Sequence, residues 1–124
     1  MARLRILAAD DDEGWRLLIK CWMDTAGHDV LICDNGKAVM AAARGFRPDC
    51  FLLDHDMGST TGHEVCRQIR ASAEFKAIPV IIMTANTGIM PKVAADGPPD
   101  HFVAKTENPD ELMLILDDIA PRNQ

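Results

Sequence analysis

Apolar residues in this chain follow two rhythms that alternate along its length. In the first they form short unbroken runs: Ile6-Leu7-Ala8-Ala9, Cys50-Phe51-Leu52-Leu53, Val80-Ile81-Ile82-Met83 and Phe102-Val103-Ala104. Runs of that length suit strands of a parallel sheet covered on both faces. In the second rhythm they recur at i, i+3, i+4 and i+7, the spacing of one helix face. Trp15, Leu18, Ile19, Trp22, Met23 and Ala26 mark a first helix, with Gly27 as its C-cap. Strands are expected at Arg3–Ala9, Val30–Cys33 and Cys50–Asp54, from Pro79 to Thr84, and at His101–Ala104. A small Ala-rich helix should start at Asn35-Gly36 and stop near Gly45, ahead of Pro48. The next should start near Thr61 or Gly62 and turn Val65, Cys66 and Ile69 inward.

The last helix carries the clearest signals. Asn108 is an N-cap, Pro109 takes the first helical position and Glu111 stands as in a capping box. Leu112, Ile115, Leu116 and Ile119 form its buried stripe. Between the fourth and fifth strands the pattern breaks. Pro91, Gly97, Pro98 and Pro99 leave room for only about two helical turns, near Met90 to Asp96. This fourth helix should be short, irregular or displaced, and the segment from Asn86 to Pro99 poorly ordered without a signal. Five strands alternating with helices make an α/β fold, a doubly wound five-stranded parallel sheet.

At 124 residues the chain is sized for one domain, residues 1–124, with a substantial core. Its 48% hydrophobic and 26% charged residues exclude wholesale disorder. A net charge of −6 argues against direct nucleic-acid binding, which depends on Lys and Arg neutralising phosphates. Cys21, Cys33, Cys50 and Cys66 have no CxxC spacing and read as reduced core cysteines of a cytosolic protein. Met1-Ala2-Arg3 enters the first strand with no signal peptide, and no apolar run is of membrane length. A soluble, cytoplasmic chain without membrane contact is expected, and no linker or repeat marks a second domain.

Chemistry gathers where the apolar runs stop. The first run ends in Asp10-Asp11-Asp12-Glu13, the third strand in Asp54, the fourth in Thr84 and the fifth in Lys105. Open α/β sheets place their sites at such strand ends. If the first and third strands are neighbours, Asp10, Asp11 and Asp54 converge and repel, and so need a cation or raised pKa values. All-oxygen ligands of high charge suit Mg²⁺. A carboxylate there can act as nucleophile towards a phosphoryl group, with Lys105 and the Thr84 hydroxyl stabilising the equatorial oxygens. Asp12 and Glu13 read more simply as acids favouring a helix N-terminus.

Four stretches carry a family resemblance over nearly the whole chain: Ile6-Leu7-Ala8-Ala9-Asp10-Asp11, Pro48-Asp49 leading to Leu52-Leu53-Asp54 with Gly62 after it, Ile78 to Ala85, and Phe102-Val103-Ala104-Lys105. In these the chain resembles the receiver domain of two-component response regulators. The resemblance implies a flavodoxin-like three-layer sandwich with sheet order 2-1-3-4-5. It implies that Asp54 is the phospho-acceptor, taking its phosphoryl group from a sensor histidine kinase or a histidine phosphotransferase in a phosphorelay. Asp11 and Asp54 would bind Mg²⁺ directly, Asp10 largely through water, and Asp56 through its backbone carbonyl. Thr84 and Lys105 would contact the phosphoryl oxygens, and Phe102 would change rotamer with Thr84 to switch a face that meets a downstream protein target. Such a chain is no enzyme beyond its own phosphotransfer and dephosphorylation.

The chain departs from the family at several positions. Gly58 stands where the family has Pro, leaving the loop more flexible, and Thr106 follows Lys105 in place of a cis Pro. A cis bond before a residue other than Pro costs about 2.5–4 kcal/mol, so a trans Lys105–Thr106 peptide is expected. Asp56 and Asn86 occupy positions that tune hydrolysis, while Asp56 also reads as a solvated loop acid. Strand alternation turns His55 away from Asp54, and His63 reads as an exposed helix residue. Two other functions fit some of these residues. One is a receiver-like interaction module that is rarely phosphorylated, suggested by Thr106 and the broken fourth helix. The other is a haloacid-dehalogenase-type phosphatase, whose motifs resemble Asp54-His55-Asp56, Met83-Thr84 and Lys105 in that order.

Overall fold

The computed structural model of the chain describes residues 3–85 and 99–120. Its frame is a five-stranded, all-parallel sheet built from β1 (Arg5–Ala9), β2 (Asp29–Cys33), β3 (Cys50–Asp54), β4 (Val80–Thr84) and β5 (His101–Ala104). The strand order is β2-β1-β3-β4-β5, the doubly wound order that the family resemblance implies. Helices α1 (Glu13–Ala26), α2 (Val39–Phe46) and α3 (Gly62–Ala71) connect the strands, and a C-terminal helix, Asp110–Ile119, follows β5. The expected fourth helix falls within residues 86–98, outside the described residues, as does Asn86.

Alternation along the strands divides the core into two layers. Ile6, Ala8, Leu52, Ile81 and Val103 pack with Ile19 and Met23 of α1 and with Leu112, Leu116 and Ile119 of the C-terminal helix. Leu7, Ala9, Phe51, Leu53 and Ile82 pack on the opposite face with Val39 and Ala43 of α2 and Val65 and Ile69 of α3. Both faces of β3 and β4 are buried throughout, which is why those segments read as continuous apolar runs.

The helix ends follow local chemistry. Asp12 accepts from the Trp15 backbone N–H at 2.8 Å to cap α1, and Gly27 ends it at φ 84°. Asn35 caps a 3₁₀ turn, Gly36–Ala38, ahead of α2, and Thr61 caps α3 by accepting from Glu64 N–H at 3.1 Å. The C-terminal helix begins at Asp110, so Pro109 precedes it, while Asn108 Oδ1 still accepts from Asp110 N–H at 2.9 Å.

Some expectations need correcting. The first strand starts at Arg5 rather than Arg3, because Arg5 is the first residue paired across to Asp29 of β2. Of the four cysteines, which are all free, Cys50 and Cys66 are buried but Cys33 is half-buried and Cys21 is exposed on α1. His63 is half-buried rather than exposed. The loop after Asp54 is a small antiparallel hairpin pairing Asp56–Met57 with Thr60–Thr61. Gly58 opens its two-residue turn at φ 70°, a conformation for which glycine is suited and from which Pro, locked near −65°, is barred. Gly58 therefore supplies a defined turn rather than looseness.

Candidate functional site

Strand register brings the acids together. β1 pairs with β3 as far as Ala9 opposite Leu53, so the next residues, Asp10 and Asp54, emerge side by side. Asp10 shares the alternation of Ile6 and Ala8, and Asp54 that of Cys50 and Leu52. Both thus lie on the α1 side of the sheet. Asp11 follows on the loop into α1, and ligand oxygens of Asp10, Asp11 and Asp54 all lie within 4.8 Å of one another. Asp10 is 1% exposed and Asp54 4% exposed, whereas Asp11 is open to solvent.

Lys105 enters from the end of β5, two strands away from β3. Its Nζ lies 2.9 Å from Asp10 Oδ2 and 3.2 Å from Asp54 Oδ1, with the side chain 10% exposed. The Lys105–Thr106 peptide is trans, as expected, since the described residues contain no cis peptide. This peptide leaves the ammonium on the two buried acids, and the Lys105 backbone N–H donates to Thr84 O at 2.9 Å. Thr84 is fully buried at the tip of β4. It follows the alternation of Val80 and Ile82, and so falls on the α2–α3 side, where Phe102 packs half-buried. The acids and the amine approach from one face, and Thr84 and Phe102 belong to the other.

The hairpin closes the site from beyond β3. Asp56 donates its backbone N–H to Asp54 Oδ1 at 3.3 Å, while its own carboxylate is 71% exposed and lies 3.2 Å from His55 Nδ1. Gly62 N–H donates to His55 O at 2.9 Å. A Cβ on Gly62 would stand 2.6 Å from the Asp54 carbonyl oxygen, so this position admits only glycine without a backbone shift. Asp12 donates its N–H to Asp10 Oδ1 at 2.9 Å, and Arg16 Nη1 donates to Asp10 O at 3.1 Å. Asp12 is thus a helix cap outside the acid cluster, as its sequence position suggests.

The electrostatics follow from burial. Burial, joined by the charge of Asp10, pushes Asp54 up to about 6, against the opposing pull of Lys105 and the Asp56 N–H. Burial alone would lower Lys105. The hydrogen bond and charge of Asp10, with those of Asp54, outweigh it and hold the amine above its ordinary value. One ammonium therefore faces three clustered carboxylates, and the site carries a surplus of negative charge. An all-oxygen donor set of this charge fits a hard divalent cation such as Mg²⁺.

Two features of the site go beyond the sequence reading. The hairpin could have been read from Gly58-Ser59 between two-residue flanks, a recognised hairpin signal. Trp15 reads in the sequence only as helix core, yet the Lys105 Nζ lies 5.0 Å from its ring centroid. Its place in the first turn of the helix that follows the acidic loop is the only hint the sequence carries.

Comparison with known proteins gives a consistent result. Residues 6–117 match the family model described as the response regulator receiver domain. The DNA-binding response regulator MtrA of Mycolicibacterium smegmatis is 31% identical over 123 residues, covering 98% of this chain and 53% of the relative. The chain thus spans about half the length of the curated relatives it matches. Response regulator TrrA of Thermotoga maritima, solved in complex with Mg²⁺–BeF, has a TM-score of 0.84 and 27% identity, covering 93% of this chain and 97% of that one. The chemotaxis protein CheY4 of Vibrio cholerae has a TM-score of 0.87 at 24% identity, covering 95% of this chain and 99% of that one, a likeness of fold.

Proposed function

This chain belongs to the response regulator receiver domain family, and from that premise we propose that residues 1–124 form one receiver domain phosphorylated on Asp54. The observation that carries the reading is the convergence at β3's tip: a buried Asp54 beside Asp10 and Asp11, with Lys105 Nζ 3.2 Å away. In the proposed step an Asp54 carboxylate oxygen attacks the phosphorus of a phosphohistidine on a sensor kinase or phosphotransferase. The O–P bond forms, the P–N bond breaks, and the departing imidazole takes up a proton. Hydrolysis later returns the Asp54 carboxylate and inorganic phosphate. The domain catalyses these two steps on itself and turns over no other substrate.

Asp11 and Asp54 would hold Mg²⁺ directly, Asp10 largely through water, and the Asp56 backbone carbonyl would complete the set. When bound, the cation supplies charge neutralisation at the transferring phosphoryl group. Lys105 and Thr84 would stabilise its remaining oxygens, approaching from the two faces of the sheet. Thr84 and Phe102, on the α2–α3 side, would then carry the change of state to a downstream protein target.

The net charge of −6 favours a protein partner over direct nucleic-acid contact for these 124 residues. MtrA is named as DNA-binding and is about twice as long, so that expectation is held for this segment only. Among the described residues no helix is long and apolar enough to cross a membrane, and we assign the domain to the cytoplasm. The family found removes the ground for a phosphatase of the haloacid-dehalogenase type. Incubation with acetyl phosphate and Mg²⁺ should give an acid-stable, base-labile aspartyl phosphate, detected by intact mass. Asp54→Asn should abolish it; labelling that survives the substitution would overturn the assignment, and none in the wild type would favour an unphosphorylated interaction module.

A further inference from the structure

Lys105 is held on three sides, and only two of them are acids. Asp10 and Asp54 take the ammonium at 2.9 and 3.2 Å, and the ring of Trp15 takes a third direction, 5.0 Å from Nζ to its centroid. The backbone beyond Lys105 faces solvent and is tied to itself, the Thr106 hydroxyl donating to Asn108 O at 3.0 Å and accepting from Asn108 N–H at 3.3 Å. Thr106, Glu107 and Asn108 are all exposed, and the peptide into them is an ordinary trans bond. Those hydrogen bonds hold main chain, whereas the ammonium sits at the end of a flexible four-carbon stem and takes its position from its side-chain neighbours.

Trp15 is well placed to supply it. Its backbone N–H is fixed by the Asp12 carboxylate at 2.8 Å, on the same loop that delivers Asp10 and Asp11. Its ring meets Trp22 edge-on, with centroids 6.2 Å apart and planes at 67°. The acidic loop thus sets one of the two acids, Asp10, and the aromatic face that together hold the amine. A ring face attracts an ammonium, most strongly when water is excluded, and this side chain is 10% exposed.

We propose that Trp15 is a positioning residue for Lys105, its ring holding the ammonium against Asp10 and Asp54 and excluding water from it. The consequence for phosphotransfer rests on the receiver reading above; the contact itself does not. Two measurements separate them. In metal-free protein, exchange of the Lys105 Nζ protons with water, followed by NMR, should be slow in the wild type, faster in Trp15→Leu and intermediate in Trp15→Phe. Rates unchanged by both substitutions would overturn the proposal; should Trp15→Leu fail to fold, Trp15→Phe alone decides it.

With acetyl phosphate and Mg²⁺, Trp15→Leu should slow labelling of Asp54 about two- to fivefold, the scale of one cation–π contact. In a Lys105→Met background the same substitution should change nothing further, because the ring would have lost its object. An equal slowing in that background would show that Trp15 acts on the fold rather than on Lys105. Failure of the wild type to label would count against the receiver reading, leaving proton exchange to decide the role of Trp15.

Discussion

At the tip of β3, burial and the neighbouring Asp10 charge push the Asp54 carboxyl up to about 6, against an ordinary value of about 3.9. A group raised in this way stabilises the folded state fully below its unfolded pKa, and that contribution is lost as pH rises through about 6. Between pH 4 and pH 8 the metal-free protein should lose ~3 kcal/mol at this position. Lys105 follows the same sign in a far higher pH window. Its amine is held above the ordinary value, so its stabilisation is complete at neutral pH and fades only in strong alkali. In urea unfolding, metal-free Asp54→Asn should therefore exceed the wild type in stability at pH 8 by up to ~3 kcal/mol, with the gap closing below pH 6. A gap independent of pH would mean that the carboxylate charge is not its source.

Among the elements, the hairpin after β3 bears most directly on Asp54, and its two glycines do different things. Gly62 lies under the Asp54 carbonyl, where a Cβ would meet backbone atoms at 2.6, 3.1 and 3.2 Å. Because backbone cannot swing aside as a side chain can, Gly62→Ala should cost ~1–3 kcal/mol and slow Asp54 labelling by moving the β3 tip. Gly58, at φ 70°, has open space where a Cβ would stand, with nothing within 4 Å. Gly58→Ala should cost ~1 kcal/mol through backbone strain alone and leave labelling near the wild-type rate. Thermal melts together with labelling rates distinguish the two. Equal loss of labelling in both variants would mean that the hairpin acts as one rigid piece.

Across the whole molecule, the sheet joins two cores, one under α1 and the C-terminal helix and one under α2 and α3. The acid cluster sits where β1, β3 and the loop into α1 meet, so it exists only once the long-range pairing β1–β3 has formed. A cation that needs this cluster binds the folded state alone and must stabilise the whole chain. Raising Mg²⁺ to 100-fold above its dissociation constant should add about 2.7 kcal/mol to the unfolding free energy, reversibly with chelator. Denaturation curves at several Mg²⁺ concentrations would measure it, and curves that superimpose would exclude a metal site here.

The elements and the chemistry at their ends were legible in the sequence because both are written locally. A run such as Cys50–Asp54 states its own burial, and a capping Asp12 or Thr61 acts within three residues. Asp54, the pair Asp10 and Asp11, Thr84 and Lys105 all stand out by their places at strand ends. Tertiary structure decided what those ends do together. The register of Ala9 opposite Leu53 joins Asp10 to Asp54, and strand order lets Lys105 reach both. Parity sets Thr84 and Phe102 on the other face, and the packing of α1 lays Trp15 over the amine. These are contacts between residues far apart along the chain, fixed by the pairing of strands and the packing of helices on them, and no local pattern encodes that distance.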